Sequence, residues 1–139
     1  MIKYKHLIYI GDKVKFDLEL SNDIVVIQGD SGVGKTLLCE AIRVEQEKKE
    51  KNMYQDIKII DIRNKKNIKT ILRGKNNLII IDNADLILTD DLQYQISRDF
   101  NNQYIIMGRK EYDFHIPLFS FGELYIKDDE IKINYRYVG

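Results

Sequence analysis

Gly29-Asp30-Ser31-Gly32-Val33-Gly34-Lys35-Thr36 fits the pattern G-x-x-x-x-G-K-[ST] in full. Each residue type in that run suits the binding of a phosphate chain. Glycines let the backbone curl tightly, so that successive N–H groups point at phosphate oxygens. A helix starting at the end of the run would add its N-terminal dipole and its unsatisfied donors. Lys35 would bring a positive charge to the β- and γ-phosphates, and the Thr36 hydroxyl would ligate Mg²⁺. The expected nucleotide-binding set is therefore Gly29, Asp30, Ser31, Gly32, Val33, Gly34, Lys35 and Thr36, with Leu37 next on the helix. The bland alternative is an ordinary glycine-rich turn from a strand into a helix.

A second candidate is Asp82, which follows the apolar run Leu78-Ile79-Ile80-Ile81. At the C-terminal end of a buried strand it would emerge in the ligand crevice of an open α/β sheet and could hold Mg²⁺ directly or through water. Many strands also end in aspartate simply as a loop signal.

The elements needed to position these groups are visible in the sequence. Ile24-Val25-Val26-Ile27, Leu78 to Ile81 and Tyr104-Ile105-Ile106-Met107 are short continuous apolar runs, as expected of strands buried on both faces of a parallel sheet. Ile57 to Ile62 reads as a further strand. Helical spacing joins Leu37, Leu38, Ala41 and Ile42 after the glycine run, with a charged tail from Glu45 to Lys51. It also joins Ile68, Ile71 and Leu72 ahead of Gly74, and Leu92, Ile96 and Phe100 behind a cap at Thr89 or Asp90. Residues 2–10 and 14–20 read as an antiparallel hairpin, and 124–126 with 131–135 as another across a turn near Asp128-Asp129. Strands alternating with helices predict an α/β fold with a mostly parallel sheet and antiparallel hairpins at both chain ends.

Composition fits one domain spanning residues 1–139. Lys plus Arg and Asp plus Glu are 22 each, so the net charge of zero gives no overall basic footprint for nucleic acid. No apolar run approaches the roughly 20 residues that span a bilayer, and the first residues lack a signal-peptide layout, so a cytoplasmic location is expected. The one cysteine, Cys39, excludes an intramolecular disulfide and a cysteine metal cluster. His6 and His115 lack partners at metal-ligand spacing.

The two motifs, Gly29 to Thr36 and Leu78 to Asp82, resemble those of the P-loop ATPases of the ABC and AAA type. The resemblance spans roughly residues 1–110, and only those two motifs are specific. The hairpin ahead of the glycine run is more like the ABC layout, whereas Ile81-Asp82-Asn83-Ala84-Asp85 and Met107-Gly108-Arg109 are more like the AAA layout. It implies a P-loop NTPase-like three-layer fold in which the strand at 104–107 lies between the glycine-run strand and the Asp82 strand. Gly108-Arg109 would then sit beside the γ-phosphate, with Arg109 as a sensor or charge stabiliser. The plain alternative is a surface arginine after a strand.

The chain departs from those families where they place a glutamate directly after the metal aspartate. Here that residue is Asn83, which can orient water but not take its proton near neutral pH. Asp85 and Asp61 are the nearest replacement carboxylates, and capping of a turn is the alternative for Asp85. The Leu-Ser-Gly-Gly signature, a helical lid after Arg109 and the N-K-x-D guanine motif are all absent, and ATP is the default nucleotide on the last ground. The expected activity is a Mg-ATP-binding switch with slow or partner-stimulated hydrolysis, in which Lys35, Asn83, Asp85 and Arg109 line the reacting end and Thr36 and Asp82 hold the metal. Another protein or a nucleic acid would read the nucleotide state. The alternatives are a small-molecule kinase using Arg98 and Arg109 as clamps, and a non-catalytic module stabilised by nucleotide. Tyr125, Tyr135 and Tyr137 with Lys127, Lys132 and Arg136 have a composition that single-stranded nucleic acid can bind, and one equally ordinary for an exposed hairpin.

Overall fold

A computed structural model describes residues 4–11, 14–29, 34–48, 53–110, 112, 114, 116–117 and 120–136. The four central residues of the glycine run, Asp30, Ser31, Gly32 and Val33, lie outside these, as do His115 and Tyr137.

The fully apolar runs become the centre of the sheet. β3 (Ile24–Gln28), β5 (Leu78–Ile81) and β6 (Gln103–Gly108) are buried along their whole length, and β4 (Ile57–Ile60) is buried except at Lys58. Side chains alternate between two apolar clusters, one on each face. Val25, Ile27, Leu78, Ile80, Ile105 and Met107 join α1 (Lys35–Gln46) through Leu38, Cys39 and Ile42. Val26, Ile79, Ile81 and Ile106 join the short α2 (Ile68–Leu72) and α3 (Asp90–Ser97) on the other face. Burial on both faces removes the need for polar alternation, which explains why these strands read as continuous runs.

The end hairpins form as expected. β1 (His6–Ile10) pairs antiparallel with β2 (Lys15–Glu19), and β7 (Phe121–Lys127) pairs antiparallel with β8 (Glu130–Tyr135). The second turns at Asp128 and Asp129, with φ of 53° and 64°, the left-handed pair of a two-residue hairpin turn. Their integration is the unexpected part. β2 pairs with β8 in parallel, and β7 pairs with β3 in parallel. The result is one mixed eight-stranded sheet in the order β1-β2-β8-β7-β3-β6-β5-β4. β6 lies between β3 and β5, with Gln28 opposite Gly108 and Ile81 opposite Ile106.

Three local expectations are corrected. The buried face of α1 is Leu38, Cys39 and Ile42, while Leu37 is 47% exposed, so the apolar stripe is turned by about one residue. α3 starts as expected, with the Thr89 hydroxyl accepting the Leu92 N–H at 3.2 Å, but it stops at Ser97. Phe100 lies beyond it in the Asp99–Asn102 turn and is 81% exposed. β4 ends at Ile60, leaving Ile62 exposed. Among the described residues no helix is long and apolar enough to cross a membrane.

Candidate functional site

The ends of β3, β5 and β6 open into a cleft of about 400 Å³. Gly29, Lys35 and Thr36 line it from the glycine run, Asp82, Asn83 and Asp85 from the segment after β5, and Gly108 and Arg109 from the end of β6. Every catalytic and metal residue expected from the sequence therefore meets in one place. Leu37 does not: its side chain lines a separate hollow with Val14, Ile126 and Ile131.

Two glycines set the loop's bounds. Gly29 has φ of +120° and Gly34 has φ of +81°, both in the left-handed region that disfavours a side chain. A Cβ on Gly34 would also come within 2.7 Å of Ile131 Cδ1. Gly34 caps α1, its carbonyl accepting the Leu38 N–H at 2.8 Å, and the first turn of the helix carries no acidic residue. Lys35 folds back so that Nζ donates to the Gly29 carbonyl. The start of α1, with no acidic residue in its first turn and the Lys35 ammonium turned to Gly29, is electrostatically favourable to an anion.

Asp82 is fixed at the sheet end, its N–H donating to the Ile60 carbonyl at 2.8 Å. Burial raises its carboxyl above the usual range; the Asn83 N–H and the charges of Arg43 and Lys35 offset this in part, and Asp61 adds to it. A cation beside Asp82 would relieve that cost. The donor set of one carboxylate and the Thr36 hydroxyl is hard oxygen, which fits Mg²⁺, an ion that keeps most of its waters. Among the described residues no cluster of three or more His, Cys, Asp or Glu forms a protein-only metal cage.

Asn83 is exposed and left-handed, at φ 54° and ψ 48°, a conformation asparagine tolerates better than most residues. Asp85 is engaged on both oxygens. Oδ2 accepts the Arg109 N–H at 2.9 Å, and Oδ1 accepts the Lys110 N–H at 3.3 Å and the Tyr112 hydroxyl. Burial pushes its carboxyl up, but these bonds and the Lys110 charge outweigh burial and hold it below the usual range. A carboxylate so occupied is a clasp between two loops, which favours the capping alternative over a proton acceptor.

Asp61 is similarly committed. It borders an adjoining groove of about 520 Å³ that shares Thr36, Asp82 and Asn83 with the cleft. Its Oδ2 accepts from Arg43 at 2.6 Å and from Arg63 at 2.8 Å, and its Oδ1 accepts the Arg63 N–H at 2.9 Å. Burial again works upward, and the Arg63 hydrogen bonds with the two guanidinium charges bring the carboxyl below its ordinary value.

The sequence reading missed Arg43, Gln28 and Tyr112. Gln28 had a signal, being a polar residue closing a buried apolar strand; the other two carried none. Arg98 lies over the Tyr94 ring at 4.8 Å and is not among the residues lining the cleft. On the end hairpin, Tyr135 donates to the Glu19 carbonyl, Arg136 donates to Gln28, and Lys132 lies 3.6 Å from Asp17. His6 Nδ1 sits 3.2 Å from Asp17 Oδ1, in a network of cross-strand charges. Cys39 is buried in the core, which raises its thiol to about 12.

Comparison of the chain with protein-family models, with curated proteins and with solved structures gives no match.

Proposed function

We propose that this chain binds Mg-ATP in the cleft at the ends of β3, β5 and β6 and acts as a nucleotide-dependent switch with slow or partner-stimulated hydrolysis. The observation that carries this is the convergence of Gly29, Lys35, Thr36, Asp82 and Arg109, which come from three separate stretches of sequence, on one cleft. The sheet segment β7-β3-β6-β5-β4 supports the three-layer, P-loop NTPase-like reading, since it places the Arg109 strand between the other two. In this reading the residues around Gly34 hold the phosphate chain, Lys35 neutralises it, and Thr36 with Asp82 holds Mg²⁺. The ion supplies charge stabilisation at the transferring phosphoryl group. Asn83 orients water without accepting its proton. The commitment of Asp85 and Asp61 to other donors supports a low intrinsic rate and a role for a protein partner that reads the bound state.

Thermal unfolding with and without Mg-ATP tests the reading. At about a hundred times the dissociation constant the nucleotide adds about 2.7 kcal/mol of stability. Lys35→Ala is expected to lose that gain. An equal gain in the variant refutes the site, and no gain in the native chain refutes nucleotide binding. Phosphate release without an acceptor, compared with transfer to a panel of small hydroxyl compounds, separates the switch from a kinase.

A further inference from the structure

The backbone that carries Arg109 to the cleft is gripped from two neighbouring strands. From the β5 side, Asp85 Oδ2 accepts the Arg109 N–H at 2.9 Å and Oδ1 accepts the Lys110 N–H at 3.3 Å. From the β3 side, Gln28 Nε2 donates to the Lys110 carbonyl at 3.0 Å. Both backbone polar groups of Lys110 are therefore held, one from the turn after β5 and one from the end of β3.

Each gripping side chain is itself held. The Tyr112 hydroxyl donates to Asp85 Oδ1, and Tyr112 is buried against Phe114 with ring centres 5.9 Å apart. Arg136, at the end of β8, donates to Gln28 Oε1, and Gln28 is only 5% exposed. Gly108 completes the fit, because a Cβ there would come within 2.8 Å of Asp85 Oδ1 and 3.0 Å of the Tyr112 hydroxyl. Gln28 and Tyr112 are buried, where an unbonded polar group is costly, so their bonds to Lys110 and Asp85 hold the turn firmly. Such rigidity is unnecessary for an ordinary surface loop. It is what a guanidinium needs in order to meet a phosphate at a fixed place.

We infer that Asp85 and Gln28 are positioning residues for Arg109, clamping the turn after β6 so that its guanidinium meets the terminal phosphate of a nucleoside triphosphate. This rests on the reading of the cleft as a nucleotide site. It assigns Asp85 to positioning and withdraws it from proton transfer. It also makes discrimination between triphosphate and diphosphate depend on a residue outside the cleft lining, Gln28, and through Arg136 on the β7–β8 hairpin.

The test is a mutant cycle read as the ratio of Mg-ADP to Mg-ATP dissociation constants. Charge-assisted hydrogen bonds are worth enough for the native chain to favour Mg-ATP by roughly ten- to hundredfold. Arg109→Ala is expected to lower the ratio about tenfold, to the residual preference that Lys35 and the ion supply. Asp85→Ala and Gln28→Met are each expected to lower it severalfold while Mg-ADP affinity stays within about twofold. The double variant Arg109→Ala/Asp85→Ala is expected to match Arg109→Ala alone, since a residue acting through another adds nothing once that one is gone. If Asp85→Ala does not fold, Gln28→Met, which conserves volume and removes both amide bonds, carries the comparison. Folded variants that keep the native ratio overturn the inference, as do losses that multiply in the double variant. So does a native chain that binds the two nucleotides equally, in which case nucleotide binding itself stands. A native chain that binds neither overturns the underlying reading together with the inference.

Discussion

Gly34→Ala joins the fold and the site in one perturbation. At φ of +81° an L residue is in the left-handed region, which costs roughly 1–2 kcal/mol for alanine. The new methyl would also lie 2.7 Å from Ile131 Cδ1 and 3.4 Å from Cγ2. Crowding in a packed core costs roughly 1–3 kcal/mol, and the lower end applies because the nearest atom is the tip of a side chain that can turn. The expected loss is about 2–4 kcal/mol. Unfolding entropy per residue converts this, for 139 residues, to roughly 3–4 °C per kcal/mol, hence a drop of roughly 7–14 °C in Tm. Differential scanning calorimetry of four proteins separates strain from crowding. Ile131→Val alone should cost about 0.5–1.5 kcal/mol. In the Gly34→Ala background it should cost nothing or stabilise, because it removes the clashing carbon. A drop below about 3 °C for Gly34→Ala, or strict additivity in the pair, would show that the loop's conformation is not held as described.

The other outcomes follow from the aspartates and Asn83. Asp82→Asn is expected to raise the Tm of the nucleotide-free chain at pH 7 and to abolish stabilisation by Mg-ATP. Because the folded-state carboxyl is raised, the native penalty is present at neutral pH and disappears below about pH 4, where the two proteins should converge; a variant less stable at pH 7 contradicts the assignment. Asp61 has the opposite sign, since its carboxyl is lowered in the folded state. Its contribution is present above about pH 4 and is lost as pH falls through the depressed value, so Asp61→Asn should cost about 1–3 kcal/mol at pH 7 and progressively less as the pH falls below about 4, measured by urea titration. Asn83→Glu should raise phosphate release by roughly a hundredfold or more if the missing base limits turnover. It should also lower Tm by a few degrees, because glutamate fits φ of +54° poorly. An unchanged rate transfers the limit to another step or to a partner.

The central strands were legible because burial on both faces leaves a signature within each segment, and the Thr89 cap and the Asp128-Asp129 turn were legible for the same local reason. What the sequence hid depends on distant pairing. The parallel contact of β2 with β8 joins Lys15 to Glu130 and Phe16 to Ile131, and neither half-exposed strand carries a mark of its partner. Leu37 and Cys39 exchanged places because the three consecutive apolar residues 37–39, followed by Ala41 and Ile42, allow two helix faces about one residue apart. The cleft residues could be named because Lys35 and Thr36 close a glycine motif and Asp82 closes an apolar run, while Arg109 was expected from the resemblance. The function of Asp85 could not be read, since its donors lie at Arg109, Lys110 and Tyr112, more than twenty positions away.

The three aspartates near the cleft differ in how their surroundings treat a negative charge, and that difference bears on the chemistry. Asp61 and Asp85 are surrounded by donors that favour the ionised form, so each is a weak base. The charge on Asp82 is disfavoured by burial, a cost that a neighbouring cation would relieve. Rapid hydrolysis by a general base needs a carboxylate that faces water and whose pKa lies nearer the working pH than those of Asp61 and Asp85. The residue next to Asp82 in the chain is an amide instead, in a left-handed backbone that asparagine tolerates. On the proposed reading, the cleft is therefore organised to hold a triphosphate and its ion and to register its terminal group through Arg109, and the proton acceptor for fast turnover has to come from a partner.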